Sequence, residues 1–185
     1  MNAELARAIR LVVLDVDGVL TDGGIYLAES ETGGVAGFRR FHVQDGIGVY
    51  MLHRADIEVA LVSAKQSAAV RERARQLRIE EVHQVHWDGK VGAVTGILER
   101  RGLDWDAVAC LADDLADLAV LERVALPAAV ANAVPEVKQL ATWEGQVPGG
   151  SGAVREFCEA LLRARGEWDA LVTQYVRRAG TEQSE

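Results

Sequence analysis

The clearest guide to the architecture is the segment LVVLDVDG, which occupies residues 11–18. Its first four residues are all apolar, and an acidic residue, Asp15, follows them directly. A short, continuous apolar run is typical of a strand that is covered on both faces, as in a parallel sheet. The segment therefore predicts a buried parallel strand with Asp15 and Asp17 at its carboxyl end.

Similar apolar runs recur along the chain and alternate with helical patterns. The strong runs lie at residues 59–62, before Ser63, and at 107–111, before Asp113, and weaker runs lie at 81–85 and 128–131. The intervening helical patterns cover residues 46–55, 66–77 and 91–101. Strands that alternate with helices indicate an α/β fold with a doubly wound, mostly parallel sheet.

Two glycine-rich regions interrupt this alternation. Residues 21–41 contain the turn-forming sequence ETGG at 31–34 and predict a β-hairpin inserted after the first strand. Residues 145–152 predict either a flexible connection or a loop whose glycines allow a close backbone approach to a ligand. The patterns support a single domain over residues 1–178, followed by a disordered tail at 179–185.

The composition is that of a globular protein and argues against several classes of function. The 185 residues carry a formal net charge of −8, so a basic groove for nucleic acid is not expected. No apolar stretch approaches the ~20 residues of a membrane-spanning helix, and residues 1–10 lack an apolar signal core. Cys110 and Cys158 are too few for a disulfide framework. We therefore expect a cytoplasmic protein without a nucleic-acid or membrane partner.

Polar residues suited to phosphoryl chemistry follow the predicted strands. In an open parallel sheet, ligands bind beyond the carboxyl ends of the strands, where Asp15, Ser63 and Asp113 would lie. Several carboxylates in one crevice repel each other unless a cation lies among them, and a site made of oxygen ligands favours Mg²⁺. Taken alone, Asp15 and Asp17 could also cap a turn, and Lys90 could be a solvated surface lysine.

Four motifs, in order along the chain, resemble those of the haloacid dehalogenase superfamily. The residues that match its motifs I to IV are, in order, DVDGVLTDG at 15–23, Ser63, Lys90 and DDLAD at 113–117. The resemblance covers about residues 8–175. It implies a Rossmann-like fold of that superfamily.

Within the superfamily, the chain is similar to the 3-deoxy-D-manno-octulosonate 8-phosphate phosphatases. The segments that carry this similarity are FHVQDG at 41–46 and GGSGAVRE at 149–156, together with the Thr-Asp-Gly extension at 21–23. Members of this family have a hairpin in place of a large cap domain. The hairpin and the helix after motif II reach a neighbouring active site in the family, so a homotetramer is implied.

The resemblance implies a Mg²⁺-dependent phosphatase that works through an aspartyl-phosphate intermediate. Asp15 would be the nucleophile, and Asp17, two residues on in an extended strand end, would act as general acid and base. Ser63 and Lys90 would hold the phosphoryl oxygens. The expected metal ligands are Asp15, the Asp17 backbone carbonyl and Asp113. Asp114 and Asp117 would support these ligands.

The same resemblance implies a small phosphorylated sugar acid as substrate and favours 3-deoxy-D-manno-octulosonate 8-phosphate. Relatives that act on eight-carbon sugar acids carry a basic residue two positions after the motif II hydroxyl, where Lys65 stands. Relatives that act on the nine-carbon acid carry Glu there, paired with a downstream Lys, where this chain has Gln76. The implied substrate contacts are His42, Asp45, Gly46, Lys65 and Arg73.

Several residues depart from the family pattern and keep alternatives open. Ala112 replaces the Gly before the motif IV aspartates, where its methyl group would strain a turn that needed a positive φ. Ala116 replaces a common Asn, and Gln44 replaces a common Arg. The alternatives are a phosphatase for a nine-carbon sugar acid 9-phosphate or another small phosphate, and a decayed member kept as an oligomerisation module.

Overall fold

Eight strands and eight α-helices make up the part of the chain that the computed structural model describes, residues 1–29 and 33–181. The strands are β1 (Leu11–Leu14), β2 (Tyr26–Glu29), β3 (Val35–Phe38), β4 (Glu58–Ser63), β5 (Glu81–Gln84), β6 (Val108–Ala112), β7 (Leu126–Ala129) and β8 (Trp143–Glu144). The helices are α1 (Ala3–Ala8), α2 (Val43–Arg54), α3 (Ala68–Gln76), α4 (Lys90–Arg101), α5 (Leu118–Leu121), α6 (Pro135–Leu140), α7 (Ala153–Arg165) and α8 (Trp168–Thr181).

Six of these strands form one parallel sheet in the order β5-β4-β1-β6-β7-β8. The central strand β1 pairs with β4 on one side and with β6 on the other, so that Leu14 lies level with Leu61 and Leu111. The strand order reverses direction at β1, which is the arrangement of a doubly wound sheet. The prediction of a doubly wound, mostly parallel α/β fold is therefore confirmed.

The core forms around the three central strands. All four residues of β1 are buried, and Leu14, Leu61 and Leu111 have no exposed surface. Burial of a leucine side chain contributes about 1.5–3 kcal/mol, which explains why continuous apolar runs form these strands. Helices α1, α2, α7 and α8 pack together as one group, while α4, α5 and α6 form another.

The predicted hairpin insertion is also present, between β1 and α2. Strands β2 and β3 pair antiparallel, with Tyr26 opposite Phe38 and Glu29 opposite Val35. Every residue of both strands is exposed, whereas the base of the hairpin is fastened by a bridge between Thr21 and Phe41. Part of the predicted turn at 31–34 lies outside the described residues.

Other differences from the predicted elements lie at their ends. The predicted strand at 128–131 is observed as β7, two residues earlier, and the predicted helix at 46–55 begins at Val43. Helix α8 continues to Thr181, into the segment 179–185 that was predicted as a tail, and residues 182–185 lie outside the described part. Among the described helices, none has the length and apolar character that a membrane crossing requires.

Candidate active site

The turn after β1 carries two of the predicted catalytic residues. Asp15 follows the strand directly, and residues Val16–Leu20 form a tight turn in which Gly18 has φ = 102°. A Cβ atom at Gly18 would lie 2.0 Å from Oδ2 of Asp113, so only glycine fits there. The Thr21 hydroxyl donates to the Val16 carbonyl over 3.1 Å, which closes the turn.

The glycine-rich segment at 145–152 packs against the same turn. A Cβ at Gly149 would lie 1.7 Å from the carbonyl oxygen of Gly18, and the Gly150 N–H donates to the Val19 carbonyl over 3.0 Å. The Asn132 side chain accepts a hydrogen bond from the Gly149 N–H at 2.8 Å. The glycines therefore allow a close approach to the protein's own backbone, which holds the turn that carries Asp15 and Asp17.

Lys90 joins the carboxylates of motifs I and IV. Its Nζ atom lies 2.7 Å from Oδ1 of Asp15 and 2.8 and 2.9 Å from the two carboxylate oxygens of Asp117. The three side chains are 3%, 7% and 4% exposed, so their charges interact with little solvent screening. The structure thus rules out the alternative that Lys90 is a solvated surface lysine.

Burial and mutual attraction set the protonation of this cluster. Burial disfavours the charge on Lys90, but the carboxylates of Asp15 and Asp117 outweigh it and raise the pKa of the ammonium above its usual value. Burial raises the pKa of Asp15, against the attraction of Lys90. Burial and the Asp15 charge raise the pKa of Asp117 to about 7. One ammonium therefore does not offset all the negative charge of this crevice.

Asp113 supplies a third carboxylate to the same crevice. One carboxylate oxygen from each of Asp15, Asp113 and Asp117 lies within 4.8 Å of the others. Burial, followed by the charges of Asp15 and Asp114, raises the pKa of Asp113 to about 7. Its buried Oδ1 atom has no hydrogen-bond partner among residues 1–29 and 33–181.

These carboxylates fit a divalent cation. They are all oxygen donors, they carry more negative charge than Lys90 offsets, and one buried oxygen of Asp113 lacks a partner. Hard oxygen ligands of this kind suit Mg²⁺. Both oxygens of Asp117 already accept from Lys90, so Asp15 and Asp113 are the better placed ligands. The part predicted for the Asp17 carbonyl stays a prediction.

The predicted support residue Asp114 has a local role in the structure. Its Oδ1 atom accepts a hydrogen bond from the Leu115 N–H at 2.7 Å and so caps the short 3₁₀ turn Leu115–Asp117. Asp117, the last residue of this turn, accepts hydrogen bonds from Lys90. Ala112 is the last residue of β6 and is not among the described non-glycine residues with positive φ, so the expected strain does not arise there.

The Asp17 side chain contacts Arg39 at the base of the hairpin. Its Oδ1 atom accepts a hydrogen bond from Nε of Arg39 at 3.0 Å, and the carboxylate is 25% exposed. The guanidinium of Arg39 also donates through Nη1 to the Ser67 hydroxyl, at 2.9 Å. Arg39 was not among the predicted site residues, because an arginine at the end of a hairpin has no sequence motif of its own.

Ser63 lies at the carboxyl end of β4, beside the end of β1. It is 1% exposed, and its hydroxyl oxygen accepts a hydrogen bond from the Lys65 N–H at 3.2 Å. Because β4 is the direct neighbour of β1, this hydroxyl lies at the same edge of the sheet as Asp15. The side chain of Lys65 is exposed two residues further on. The catalytic and binding roles of these residues stay predictions.

The other predicted substrate contacts fall into two groups. Arg73 is half-buried and donates through Nη2 to the His42 carbonyl at 3.2 Å, and His42 Nδ1 has no partner in the described part of the chain. Asp45 is fully buried, and its Oδ1 atom accepts from the Arg155 N–H at 3.0 Å, in the first turn of α7. Gly46 packs near Leu77 and Arg73. Asp45 therefore ties α2 to α7 instead of facing solvent.

Comparison with known proteins identifies the family. The profile of the haloacid dehalogenase-like hydrolases matches residues 86–148. The chain is 38% identical over 164 residues to the 3-deoxy-D-manno-octulosonate 8-phosphate phosphatase KdsC of Escherichia coli. The aligned region covers 89% of this chain and 85% of that protein. It is 36% identical over 160 residues to the KdsC of Yersinia pestis, with coverages of 86% and 83%.

Comparison with solved structures leads to the same family. A 3-deoxy-D-manno-octulosonate 8-phosphate phosphatase from Moraxella catarrhalis, in complex with magnesium, phosphate and the sugar acid, superimposes with a TM-score of 0.86 at 32% identity. The match covers 94% of this chain and 97% of that one. A cobalt-bound phosphatase from Haemophilus influenzae gives a TM-score of 0.80 at 34% identity, with coverages of 89% and 93%. This chain belongs to the family of haloacid dehalogenase-like 3-deoxy-D-manno-octulosonate 8-phosphate phosphatases.

Proposed function

We propose that this chain is a Mg²⁺-dependent phosphatase that hydrolyses 3-deoxy-D-manno-octulosonate 8-phosphate. The observation that carries the proposal is the buried cluster in which Lys90 bridges Asp15 and Asp117, with Asp113 beside them, at the carboxyl ends of β1 and β6. The cluster combines a nucleophile, a cation and oxygen ligands for a metal. The chain's 38% identity to a phosphatase named for this substrate supports the same conclusion.

In the first step, a carboxylate oxygen of Asp15 attacks the phosphorus atom and the bond to the sugar oxygen breaks. Lys90 holds Oδ1 of Asp15 at 2.7 Å, which leaves Oδ2 as the attacking atom. Asp17, as the acid, gives its proton to the departing sugar oxygen. A bound Mg²⁺ on Asp15 and Asp113 would offset the charge of the phosphoryl oxygens.

In the second step, water displaces Asp15 from phosphorus and inorganic phosphate leaves. Asp17, now a carboxylate, takes a proton from the attacking water, which restores its acid form. The buried ammonium of Lys90 again stabilises Asp15 as its carboxylate is released. The Ser63 hydroxyl, at the adjacent strand end, would hold a phosphoryl oxygen through both steps.

The substrate assignment depends on two cations that follow the motif II hydroxyl in the chain, Lys65 and Arg73. Lys65 follows the motif II hydroxyl, and Arg73 lies on α3 with its guanidinium against the Phe41 ring and the His42 carbonyl. Either cation could meet the carboxylate of an eight-carbon sugar acid. We assign the eight-carbon substrate on this basis, because the glutamate associated with the nine-carbon acid is absent at Lys65.

We further propose that the protein is a cytoplasmic homotetramer in which the hairpin contacts a neighbouring subunit. The hairpin exposes large apolar side chains: Leu27 and Phe38, on the two-stranded sheet, are 68% and 58% exposed, and Ile25, just before β2, is 79% exposed. An isolated two-stranded sheet has little stability of its own, so these side chains favour contact with another copy. Cys110 and Cys158 are both free, which agrees with a reducing compartment.

Phosphate release by the purified protein tests the function. We expect release from 3-deoxy-D-manno-octulosonate 8-phosphate with Mg²⁺, loss of release with a chelator, and loss of release in Asp15→Asn. Asp106→Asn is the matched control, because Asp106 is exposed and precedes β6 at the opposite end of the sheet. A higher kcat/KM for the nine-carbon 9-phosphate would overturn the substrate assignment. Absence of both turnover and Mg²⁺ binding would support the decayed module.

A further inference from the structure

Arg39 is held between Asp17 and Ser67 by two polar contacts. Its Nε donates to Oδ1 of Asp17 at 3.0 Å, and its Nη1 donates to the hydroxyl of Ser67 at 2.9 Å. Its side chain is 18% exposed, although the preceding residue, Phe38, is 58% exposed. The Arg39 side chain therefore extends inward from the exposed hairpin, toward Asp17 at the end of β1.

The backbone around Arg39 is tied to the turn that carries Asp17. The bridge between Thr21 and Phe41 fastens the base of the hairpin two residues after Arg39. Thr21 is 2% exposed, its N–H donates to the Val16 carbonyl at 2.9 Å, and its hydroxyl donates to the same carbonyl. Arg39 and Asp17 therefore extend from two segments joined at one short, buried connection.

Ser67 gives Arg39 a second fixed contact. Ser67 caps α3, because its hydroxyl accepts from the Val70 N–H, and it is 9% exposed. The guanidinium is planar and rigid, so contacts through Nε and Nη1 set the orientation of the whole group. Because the hydrogen bond to Ser67 fixes the Arg39 guanidinium, the hydrogen bond from Arg39 to Asp17 also restricts rotation of the Asp17 carboxyl.

We propose that Arg39 is a positioning residue that holds Oδ1 of Asp17, so that Oδ2 is the oxygen that exchanges a proton with the leaving group. This inference rests on the proposed function. The Arg39 bond occupies Oδ1, which leaves Oδ2 to carry the proton. As Asp15 forms its bond to phosphorus and the phosphorus–oxygen bond to the sugar breaks, the proton moves from Oδ2 of Asp17 to the sugar oxygen.

Substrates with different leaving groups test this role. An alkyl leaving group needs a proton in the first step, whereas the acidic p-nitrophenol does not. The value of kcat/KM reports the steps up to the phosphorylated enzyme, since release of the alcohol ends that half of the reaction. We would measure kcat/KM for 3-deoxy-D-manno-octulosonate 8-phosphate, glycerol 1-phosphate and p-nitrophenyl phosphate with each variant.

The informative variants are Arg39→Met and Arg39→Lys, with Arg40→Met as the matched control. Arg40 is adjacent, is exposed, and pairs with Asp22 at 3.5 Å instead of Asp17. For Arg39→Met, we expect kcat/KM to fall about 10- to 100-fold for both alkyl phosphates and to change less than about 3-fold for p-nitrophenyl phosphate. Arg39→Lys should recover part of the loss, and Arg40→Met should resemble the unaltered protein.

Three outcomes would overturn the inference. An equal fall in the kcat/KM of Arg39→Met for all substrates would mean that Arg39 supports the fold or the whole site. A fall confined to the sugar acid would make Arg39 a substrate contact, because glycerol 1-phosphate needs the same proton but has no carboxylate. No fall for Arg39→Met would remove the role altogether. If the unaltered protein hydrolyses none of these esters, the proposed function itself fails, which is a different result.

Discussion

The Nζ atom of Lys90 lies 2.7 Å from Oδ1 of Asp15, although the two residues are 75 positions apart in the chain. Lys90 begins α4, and Asp15 follows β1, so this contact joins the helix that follows the edge strand β5 to the centre of the sheet. Because Asp117 accepts from the same ammonium, Lys90 joins Asp15, the proposed nucleophile, to the motif IV loop.

Replacing Lys90 should reduce both activity and stability. In Lys90→Met, the buried carboxylates of Asp15 and Asp117 lose their cation, and removal of one partner from a buried ion pair costs on the order of 3–5 kcal/mol. Loss of one positioned donor should lower kcat by about 10²- to 10³-fold. Urea unfolding and phosphate release measure the two effects.

The surface pair of Lys138 and Glu144 is the control for this prediction. Their side chains are 2.6 Å apart and 31% and 48% exposed, so Lys138→Met should cost no more than about 1 kcal/mol. Equal losses of stability in the two variants would show that burial of the Lys90 cluster has no special effect.

Adding a single methyl group at Gly18 should disrupt the proposed metal site. A Cβ there would lie 2.0 Å from Oδ2 of Asp113, and the φ of 102° is unfavourable for alanine. We expect Gly18→Ala to weaken Mg²⁺ binding at least about 10-fold, measured by titration calorimetry, because Asp113 must move.

Gly92→Ala is the matched control for the Gly18 variant. Gly92 is an exposed residue of α4, and a Cβ there meets no atom within 4 Å outside the helix's own backbone. Alanine should stabilise that helix by roughly 0.5–1 kcal/mol and leave Mg²⁺ binding unchanged. Unchanged Mg²⁺ affinity in Gly18→Ala would contradict the placement of the metal beside Asp113.

The stability of the metal-free protein should fall as the pH rises through about 7. The pKa of Asp113 is raised from 3.8 to about 7, chiefly by burial and then by the charges of Asp15 and Asp114. A carboxyl with a raised folded-state pKa stabilises the fold while it is protonated, and this stability is lost as the pH rises through that pKa. We expect a loss on the order of 2 kcal/mol between pH 5 and pH 8.

Added Mg²⁺ should reverse this trend, since it binds the ionised carboxylates. The rise in melting temperature caused by Mg²⁺ should therefore be larger at pH 8 than at pH 5.5. Asp113→Asn should reduce the pH dependence of the metal-free protein, to which Asp117 also contributes, and Asp106→Asn should leave it unchanged. A Mg²⁺ effect that is equal at both pH values would argue against ionisation of Asp113 near neutrality.

Loss of apolar surface on the hairpin should break the proposed tetramer. Leu27 is 68% exposed on β2, and Leu27→Glu would place a charge in any contact made by that face. We expect light scattering to show a tetramer for the unaltered protein and smaller species for Leu27→Glu. Val176→Glu, at a 63% exposed position on α8, is the comparison. A monomeric unaltered protein would refute the assembly.

Local patterns were sufficient to predict the central strands, because each is a continuous apolar run that stops at a polar residue. Strand β8 and helices α5 and α6 were not predicted, since elements of two to six residues are too short to show a period. Strain at Ala112 would have required a positive φ there; Ala112 is the last residue of β6 and is not among the described non-glycine residues with positive φ, so this condition is not met.

The sequence alone predicted the α/β fold, the hairpin, the family and the acidic strand ends. Each of these features depends on a local apolar run or on a short motif. The tertiary structure decided which charges meet: Lys90 with Asp117, Arg39 with Asp17, and Asp45 with the first turn of α7. Such pairs form between segments that the sheet topology brings together. No local periodicity encodes their distance or burial, so only the folded chain shows them.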